Sequence, residues 1–500
     1  MKETSRSKAL TALAAAPEDL LKEAPVDEVR ITGVSYDSRK TRPGDLFFCV
    51  PGASSDGHEY APEALARGAV ALCVERPLSL GVPEIVVRDA RKSMGRIAAR
   101  FFDHPASDLR LLAVTGTNGK TTTAFLLESI LRAAGLTTGL IGTIETRVAG
   151  HTRPGLRTTP ESVDLQRLFA EMRETGVDGV AMEVTSHALT LHRIETVRFA
   201  AGVFTNLSQD HLDFHSGMED YFGAKRELFT PERLDRGATN LDDPYGRRLY
   251  EETAIPCIGF GSDEDALVRA DRVRSGPWGS EFVMTLPPHQ EVKISTSLVG
   301  HFNISNCLAA AAAAIQADIS PQAIESGIKD LSAVPGRFES VDAGQPFTVV
   351  VDYAHTPDSL DNVLRGARAL AGRGRVVCVF GCGGDRDRGK RPLMGAVTAR
   401  LADVVVVTSD NPRSEDPQAI IDSILEGVIA ERTDGPDAVL VDRREAIARA
   451  VAVARQDDVV VIAGKGHETG QQFADRTIPF DDRVVAREEL LKAGFEGRTG

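Results

Sequence analysis

The sequence predicts an α/β protein of three domains. Its 500 residues suffice for about three domains of roughly 150 residues each. Short apolar, strand-like runs alternate with segments of helical period along most of the chain, as in parallel α/β folds. A glycine-containing loop at residues 115–121 also joins a strand-like run to a helix-like run. We therefore expect a small N-terminal α/β domain, a central α/β domain with a small antiparallel patch, and a C-terminal Rossmann-like α/β domain.

The N-terminal domain is assigned to residues 1–108. Residues 34–37, 46–50 and 71–75 are apolar runs typical of strands, and the short apolar patch at 9–16 is followed by charges typical of a small amphipathic helix rather than a signal peptide. The loop at 51–58 is rich in hydroxyls and glycine, which suits a polar ligand, although a plain surface loop fits these residues equally well.

The central domain is assigned to residues 109–338 and begins with the glycine-containing loop. A buried-type strand at 111–114 leads into Thr-Gly-Thr-Asn-Gly-Lys-Thr, and a helical pattern follows and ends at Gly135. In this arrangement backbone amides and the helix N-terminus face phosphates, the lysine neutralises their charge and the hydroxyl ligates Mg²⁺. Val114 stands where the full Walker spacing has a glycine, so the loop is a shortened form. The pattern predicts a P-loop ATPase-like domain; the alternative is a tight turn with a solvated lysine.

Polar residues follow two further strand-like runs of this domain. Glu183 ends the run at 177–184, and His211 lies shortly after the run at 200–205. Because open α/β sheets bind ligands at the carboxyl ends of their strands, both are candidates for binding a cation or water near the phosphates. Unrelated hydrogen bonding of the two is the alternative. From its helical pattern alone, Lys225 is an ordinary salt-bridging lysine.

Other segments of the central domain have plainer interpretations. Residues 139–146 predict another strand, and the polar turn at 158–160 predicts a helix N-terminus. Residues 254–300 predict a small antiparallel patch. Asn303 and Asn306 share one face of an alanine-rich helix, and residues 335–339 predict a hinge out of the domain.

The C-terminal domain is assigned to residues 339–500, where strand-like and helix-like runs alternate regularly. The strand-like runs are 348–352, 376–380, 404–408, 438–441 and 459–463, and the helix-like runs are 359–371, 420–430 and 444–455. The loop at 381–386 resembles a dinucleotide loop only weakly, because Arg386 takes the place of its third glycine. Arg386, Arg413 and Glu468 follow three strand ends and suit a zwitterion such as an amino acid, unless they are unrelated surface charges.

Composition excludes several classes of function. A net charge of −14 argues against a general nucleic-acid or membrane surface. No segment approaches the ~20 apolar residues of a membrane span. The six cysteines lie mostly in apolar runs without metal-ligand spacing and indicate reduced, buried thiols. We expect a cytoplasmic, monomeric protein without nucleic-acid or membrane partners.

An ordered set of motifs closely resembles the Mur ligases of peptidoglycan synthesis. The motifs occur in this order between residues 115 and 468: TGTNGKTTT, TTP, EVTSH, NLSQDHLDFH, GHFNISN, PGRFE, DYAHTP, GCGGDRDRGKRP, DNPR and AGKGHE. DSR and the PGASSDGH loop extend the resemblance into the N-terminal domain. The resemblance implies a three-domain, ATP-dependent amide ligase that joins meso-2,6-diaminopimelate to the D-Glu side-chain carboxylate of UDP-MurNAc-L-Ala-D-Glu through an acyl phosphate.

The resemblance also implies a role for individual residues. The ATP site would comprise Gly116, Thr117, Asn118, Gly119, Lys120, Thr121, Thr122, Asn306, Arg337 and Asp352. The UDP-MurNAc-dipeptide site would comprise Tyr36, Ser38, Ala53, Ser54, Ser55, Thr158, Thr159, Thr185 and Arg193, with Leu191 in place of the family's usual glutamine. The diaminopimelate site would comprise Arg386, Asp410, Asn411, Pro412, Arg413, Gly464 and Glu468. The catalytic residues would be Lys120, Glu183, His211 and Lys225.

Mg²⁺ and a modified lysine are further implications of the resemblance. Thr121, Glu183, His211 and Lys225 match the metal site, and Lys225 matches the lysine that carries a CO₂-derived carbamate in this family. A free lysine titrates near 10.4 and would repel Mg²⁺, whereas a carbamate is an anion and can ligate it. The DNPR motif accompanies diaminopimelate in the family, and an arginine fork suits the distal carboxylate that lysine lacks.

Two other functions are consistent with parts of the sequence. A folylpolyglutamate synthase has similar loop chemistry but no role for the N-terminal domain or for DNPR. A regulatory protein switched by ATP would have no use for Glu183, His211 and Lys225 near the loop. Phosphate release that requires both the UDP-MurNAc-dipeptide and diaminopimelate would distinguish the three.

Overall fold

The fold was analysed in a computed structural model that describes residues 6–23, 28–52, 55–155, 157–212, 214–276 and 279–495. Three parallel or mostly parallel sheets follow one another along the chain. Each sheet lies inside one of the three predicted domains, and the exact domain limits stay a prediction.

The N-terminal sheet has four parallel strands in the order β3-β4-β5-β6. A separate pair, β1 and β2, is antiparallel. The strands are β1 (Lys8–Ala9), β2 (Arg30–Ile31), β3 (Gly33–Ser35), β4 (Asp45–Phe48), β5 (Ala71–Val74) and β6 (Glu84–Val86), and the α-helices are α1 (Leu10–Ala14), α2 (Ala61–Ala66) and α3 (Ala90–Phe101).

The central sheet has eight strands in the order β10-β9-β8-β11-β7-β12-β13-β14. Its strands are β7 (Arg110–Thr115), β8 (Thr138–Ile141), β9 (Glu145–Val148), β10 (His151–Pro154), β11 (Gly179–Glu183), β12 (Phe199–Phe204), β13 (Leu234–Asn240) and β14 (Cys257–Phe260). The helices are α4 (Lys120–Ala133), α5 (Ser162–Glu174), α6 (Ser186–Thr190), α7 (Met218–Arg226), α8 (Pro244–Glu252), α9 (His301–Gln316) and α10 (Pro321–Asp330). The predicted antiparallel patch is confirmed as β15 (Arg269–Gly276), β16 (Gly279–Leu286) and β17 (Gln290–Thr296).

The C-terminal sheet has the order β18-β19-β23-β20-β21-β22 and is parallel except for β18. Its strands are β18 (Glu339–Ser340), β19 (Thr348–Asp352), β20 (Val376–Phe380), β21 (Val404–Thr408), β22 (Ala438–Leu440) and β23 (Val459–Ala463), and a hairpin follows with β24 (Gly470–Gln472) and β25 (Thr477–Pro479). The helices are α11 (Pro357–Ala371), α12 (Lys390–Leu401), α13 (Pro417–Glu431), α14 (Arg443–Val453) and α15 (Asp482–Lys492).

Most predicted elements are confirmed, and a few are wrong in detail. The single strand expected at 139–146 is two strands, β8 and β9, separated at residues 142–144. The break lies where Gly142 passes Glu183, since a Cβ on Gly142 would lie 2.5 Å from Glu183 Oε1. The helix expected to start at 158–160 begins at Ser162. Helix α12 was not predicted, because Pro392 and Gly395 interrupt its helical period.

In the core of the central part, helices α4 and α9 pack against the sheet and α10 packs on α4. Helices α4, α9 and α10 contact one another, and six consecutive buried alanines, residues 309–314, let α9 pack closely beside the strands. Gly327 of α10 touches α4, where an added Cβ would lie 2.4 Å from Ile130 Cα. Since α4 begins at Lys120, this packing fixes the direction in which its N-terminus points.

Contacts join neighbouring parts of the chain. Helix α3 packs on α5, and Val163 and Ala170 of α5 belong to the apolar cluster of the N-terminal sheet. All six cysteines lie within the described ranges and are free, and all but Cys257 are buried, as the sequence predicts. In the described part of the chain, no helix is long and apolar enough to cross a membrane.

The close contact at Gly327 makes a testable prediction about stability. Gly327→Ala should destabilise the protein by about 1–3 kcal/mol, because the new methyl group overlaps the backbone of α4. Gly223→Ala in α7 is the matched control, since a Cβ there meets no atom within 4 Å and alanine favours the helix. Thermal unfolding measures both variants, and equal stability of the two would contradict the proposed packing constraint.

Candidate functional site

Two glycines of the phosphate loop lie directly against polar side chains. A Cβ on Gly116 would lie 1.9 Å from Thr205 Oγ1, and one on Gly119 would lie 2.4 Å from Asn306 Oδ1; both residues have positive φ, +143° and +82°. Asn206 anchors the loop, because its backbone oxygen and its Oδ1 accept from the amides of Thr117 and Asn118 at 2.9 and 2.8 Å. Only glycine fits at both positions.

The loop is short because strand β7 continues further than in the full Walker pattern. Val114 is fully buried and pairs with Glu183 on one side and Val203 on the other. The chain therefore leaves the sheet at Thr115, and helix α4 begins five residues later at Lys120.

Two lysine amines share one carbonyl oxygen beneath this loop. Lys120 Nζ donates to the carbonyl oxygens of Gly116 and Thr117 at 3.0 and 2.7 Å, and Lys225 Nζ donates to the same Gly116 oxygen at 2.8 Å. Burial lowers the pKa of both amines, and the charge of Lys120 further lowers that of Lys225. Lys225 makes no ion pair with any described carboxylate, so its interpretation as a salt-bridging surface lysine is wrong. The site concentrates positive charge where phosphates would bind.

A carboxylate and a hydroxyl lie next to the lysines. Glu183, fully buried at the end of β11, accepts from Thr121 Oγ1 at 3.1 Å and from the amide and hydroxyl of Thr143 at 2.8 and 3.0 Å. Arg337 donates to the same Thr121 hydroxyl at 3.1 Å. Oxygen ligands of this kind are those that Mg²⁺ prefers.

His211 lies in the segment after β12. Its ring is edge-on to that of His187 at 4.8 Å between centroids, and its side chain is 39% exposed. Burial acts to raise the pKa of neighbouring Asp210, but the charges of His211, His355 and Lys120 outweigh it and lower that pKa. Within the described ranges, no group of three or more His, Cys, Asp or Glu side chains is arranged around a common metal position.

The C-terminal part of the chain reaches the loop through Asp358. This residue lies in the first turn of α11, and its Oδ2 accepts from Asn118 Nδ2 at 2.7 Å and from Ser208 Oγ at 2.8 Å. The sequence analysis did not single out Asp358 or Ser208. The only local signal was the Thr356 capping box, which predicts a helix start but not what the helix faces.

Asp352 fixes the hinge that carries Arg337. Its carboxylate accepts from the amides of Phe338 and Ala354, each at 2.7 Å. Burial raises the pKa of Asp352 to about 6, although the charge of Arg337 opposes the shift. The Arg337 guanidinium lies 4.7 Å from the ring centroid of Tyr353, another cavity residue that the sequence analysis did not assign.

Most predicted nucleotide and dipeptide residues line one cavity of about 930 Å³. The predicted residues on its wall are Thr117, Asn118, Gly119, Lys120, Thr121, Thr122, Thr158, Thr159, Glu183, Thr185, Arg193, His211, Asn306, Arg337, Asp352 and Arg386. Gly116, although part of the loop, and Lys225 do not line this cavity. Tyr353, His355, Ser208, Asp210 and Asp358 also line the cavity, so two parts of the chain enclose one space.

The predicted dipeptide residues form a connected wall next to Glu183. Thr159 Oγ1 donates to the Glu183 carbonyl oxygen at 2.9 Å, and Arg193 donates to the Thr159 carbonyl oxygen at 3.1 Å. Thr158 pairs with Thr143 at 3.0 Å between hydroxyl oxygens, while the Thr185 hydroxyl caps α6.

A second cavity, of about 830 Å³, lies between the N-terminal sheet and α5. Tyr36, Ser38 and Ser55 line it, and Arg157 lines both cavities. The two spaces therefore adjoin at Arg157. Ala53 and Ser54, also predicted here, lie outside the described residues.

The predicted amino-acid residues gather at the carboxyl edge of the C-terminal sheet. Arg413 donates to the Gly384 carbonyl oxygen at 2.7 Å and Arg386 to the Asp385 carbonyl oxygen at 3.0 Å; neither forms an ion pair with a described carboxylate. Two unneutralised guanidinium groups are suited to an anionic ligand.

Acidic and small residues complete the same edge. Glu468 Oε2 accepts from Asn411 Nδ2 at 2.7 Å and from Lys465 Nζ at 3.1 Å. Gly464, with φ +118°, lies against Asp410, since a Cβ there would be 2.4 Å from Asp410 Oδ2. The Pro412 carbonyl oxygen packs on Gly384 in the same way, since a Cβ on Gly384 would lie 1.9 Å from that oxygen. The sequence analysis missed Lys465, which is fully buried.

A phosphate loop, a carboxylate–hydroxyl pair and a separate mixed-charge edge define a nucleotide-dependent enzyme that acts on small polar substrates. Three family models match the chain: the catalytic domain of the Mur ligase family at residues 30–102, the Mur ligase middle domain at 114–314, and the Mur ligase glutamate ligase domain at 336–466. The chain belongs to the Mur ligase family, whose members are ATP-dependent, amide-forming enzymes.

Curated relatives agree over nearly the whole chain. The UDP-N-acetylmuramoyl-L-alanyl-D-glutamate--2,6-diaminopimelate ligase of Streptomyces coelicolor is 48% identical, covering 96% of this chain and 97% of that protein. The enzyme of the same name from Geobacillus kaustophilus is 48% identical over 93% of this chain and 96% of its own length.

Solved structures share the fold. A structure of a UDP-N-acetylmuramoyl-L-alanyl-D-glutamate--2,6-diaminopimelate ligase superposes with a TM-score of 0.68 and 31% identity, covering 97% of this chain and all of that chain. Folylpolyglutamate synthase of Mycobacterium tuberculosis has a TM-score of 0.60 at 18% identity over 79% of this chain and 93% of its own, which shows a common fold alone.

The Asp358 contact makes a prediction about how the parts of the chain are held together. Asp358→Ala removes the two hydrogen bonds that Asn118 and Ser208 donate to its carboxylate, each contributing about 1.5–3 kcal/mol, and should loosen the C-terminal sheet from the phosphate loop. Small-angle scattering of the ligand-free protein should show a larger radius of gyration. Asp361→Ala, which removes only an exposed pair with Arg365 on the same helix, should leave it unchanged. Equal radii for the two variants would exclude this role of Asp358.

Proposed function

We propose that this protein joins meso-2,6-diaminopimelate to the D-Glu side-chain carboxylate of UDP-MurNAc-L-Ala-D-Glu, with conversion of ATP to ADP and phosphate, in cytoplasmic peptidoglycan precursor synthesis. The observation that carries the proposal is the single cavity in which the phosphate loop adjoins the predicted dipeptide residues. The names of its relatives support the choice of substrates. The charge of −14 favours small-molecule substrates over nucleic acid or membrane partners, and we propose that the enzyme acts as a monomer.

In the first step, a carboxylate oxygen of D-Glu attacks the γ-phosphorus of ATP. A new O–P bond forms, the bond between γ-phosphorus and the bridging oxygen breaks, and ADP leaves with the electron pair. Lys120 and Arg337 neutralise charge on the transferred group, and the loop amides orient the phosphates. Asp352 contributes by holding the hinge on which Arg337 lies.

The Thr121 hydroxyl and the Glu183 carboxylate next to the loop are oxygen donors of the kind that Mg²⁺ prefers. We propose Thr121, Glu183, His211 and carbamylated Lys225 as its ligands, because the Thr121 hydroxyl and Glu183 carboxylate already lie together. When bound, Mg²⁺ would neutralise charge on the phosphates.

We propose that Lys225 carries a carbamate. CO₂ would bond to the neutral amine, which releases a proton and leaves an anion. Its burial without a described carboxylate partner supports a modified side chain, because a buried ammonium group without a counter-charge is costly. The anion would also offset the charge of Lys120.

In the second step, an amine of diaminopimelate attacks the acyl carbon, and phosphate leaves as the amide forms. We propose that Arg413 and Arg386 bind carboxylates of this substrate and that Glu468, with Asp410 and Asn411 beside it, binds its distal ammonium. Lysine lacks the distal carboxylate and would leave a guanidinium unpaired, which disfavours it. Cations of the loop would stabilise the negative charge of the tetrahedral intermediate.

A coupled assay of phosphate release tests the function as a whole. We expect release to require both UDP-MurNAc-L-Ala-D-Glu and diaminopimelate, because the acyl phosphate forms on one and is consumed by the other. A folylpolyglutamate synthase would require folate and glutamate instead, and a nucleotide switch would require neither substrate. Release that is independent of both would refute the proposal.

Arg413 provides a test of amino-acid selection. Arg413→Ala should raise KM for diaminopimelate about 100-fold, since a lost charge-assisted pair of ~3 kcal/mol corresponds to that factor. KM for ATP should stay within about twofold, because Arg413 does not line the ATP cavity. Arg476→Ala is the control, as Arg476 forms an exposed pair with Asp475 and has no proposed role. An unchanged KM for diaminopimelate in Arg413→Ala would remove Arg413 from the site.

Lys225 provides a test of the carbamate. Lys225→Ala should reduce kcat by at least about 100-fold, as loss of a charge-stabilising group does elsewhere. Short-chain carboxylic acids should restore part of the activity by supplying the missing carboxylate, and they should not activate Lys120→Ala. Full activity of Lys225→Ala without any addition would exclude the carbamate.

A further inference from the structure

Beneath the amino-acid edge lies a fully buried ion pair that the mechanism above does not use. Arg443 and Asp482 are the first residues of α14 and α15, and both side chains are 0% exposed. The guanidinium meets the carboxylate as a two-point fork, with Nε to Oδ1 at 2.8 Å and Nη2 to Oδ2 at 2.7 Å.

The same guanidinium also binds the ends of two strands. It donates to the Ser409 carbonyl oxygen at 3.2 Å and to the Ala463 carbonyl oxygen at 2.9 Å. Ser409 directly precedes Asp410, and Ala463 directly precedes Gly464. Thus one side chain contacts the starting points of both loops that carry the proposed diaminopimelate residues.

These two loops do not leave neighbouring strands. Strand β20 lies between β21 and β23 in the sheet, so no hydrogen-bond ladder joins β21 to β23 directly. The chain after β20 turns away at Gly381, where a Cβ would lie 2.3 Å from the Thr408 carbonyl oxygen. Arg443 therefore reaches across the end of β20 and links β21 and β23, the strands on either side of it.

Stability alone does not account for this pair. Removing two charges from water is costly, and well-packed apolar residues of similar volume are often as stable or more stable. A planar guanidinium nevertheless fixes several acceptors in one geometry, which an apolar side chain does not. Buried ion pairs of this kind are therefore suited to fixing the relative positions of the groups that they bind.

We propose that Arg443, held by Asp482, is a positioning residue that sets the separation of the Asp410–Arg413 and Gly464–Glu468 loops and thereby the affinity for the amino-acid substrate. The inference rests on the proposed function only for the identity of that substrate. Arg443 lies behind the site and does not touch the substrate.

The decisive variant replaces both charges with apolar side chains. Arg443→Met with Asp482→Leu should keep or raise the unfolding temperature, yet raise KM for diaminopimelate about tenfold or more, with KM for ATP and for the dipeptide within about twofold. Arg443→Lys, which keeps the charge but not the fork, should give a smaller rise in KM for diaminopimelate.

A matched control exists at the opposite edge of the same sheet. Arg375 and Asp458 form a 2.6 Å pair at the amino ends of β20 and β23. Arg375→Met with Asp458→Leu changes the charge in the same way but should leave KM for diaminopimelate unaltered. A rise in KM for diaminopimelate in both double variants would mean a general effect on the C-terminal sheet and would overturn the inference.

A measurement without substrate separates this inference from the proposed function. Amide hydrogen exchange at residues 409–413 and 464–468 of the full chain should be about tenfold faster in Arg443→Met/Asp482→Leu than in the wild type and unchanged in the control. Wild-type exchange at these residues, or a wild-type KM for diaminopimelate, would refute the role of Arg443. If the wild-type enzyme releases no phosphate with diaminopimelate, the proposed function fails, while the exchange result still decides the inference.

If the double variant does not fold, Asp482→Asn replaces it. This change keeps the shape and one acceptor but removes the charge that orients the guanidinium. We expect exchange at the two loops to be about threefold faster and KM for diaminopimelate to rise about threefold, with KM for ATP unchanged. Wild-type values of both quantities would overturn the inference.

Discussion

The carbonyl oxygen of Gly116 accepts hydrogen bonds from two lysine amines, and the rest of the site is arranged around this crowded acceptor. Lys120 and Lys225 lie close together only because Gly116 and Gly119 let the loop pass against Thr205 and Asn306. Two amines at one buried acceptor favour a nearby anion, and phosphates together with the proposed carbamate on Lys225 would supply one.

The reaction needs three substrates in one place, and the fold provides this through two facing sheet edges. The central sheet supplies the loop and Glu183 at the carboxyl ends of β7 and β11, while the C-terminal sheet supplies Asp352 at the end of β19. Open α/β sheets bind ligands at such edges. Asp358 of the C-terminal domain contacts Asn118 of the phosphate loop, and Arg337 at the end of the central domain contacts Thr121, so both contacts converge on the same loop.

The proposed amino-acid site and the phosphate loop lie on different sheets, and Arg386 of that site also lines the cavity of the loop. Arg413 and Glu468 lie at the carboxyl edge of the C-terminal sheet, and the buried Arg443–Asp482 pair lies beneath them. In this proposal, the residues that contact the substrate select its charged groups. The positioning residue sets the distance between the residues that bind those groups.

The sequence by itself determined the features that depend on neighbouring residues: the shortened phosphate loop, the bounds of β19, β20, β21 and β23, and the ordered motifs that indicate the family. Local geometry and hydrophobic period decide these, so they can be predicted without a structure. Only the tertiary structure decided that Lys225 shares an acceptor with Lys120, that Asp358 faces Asn118, and that Arg443 joins Ser409 to Ala463. These contacts link residues 20 to 240 positions apart, and no local pattern records them, because a helical period shows which face is polar but not what that face meets.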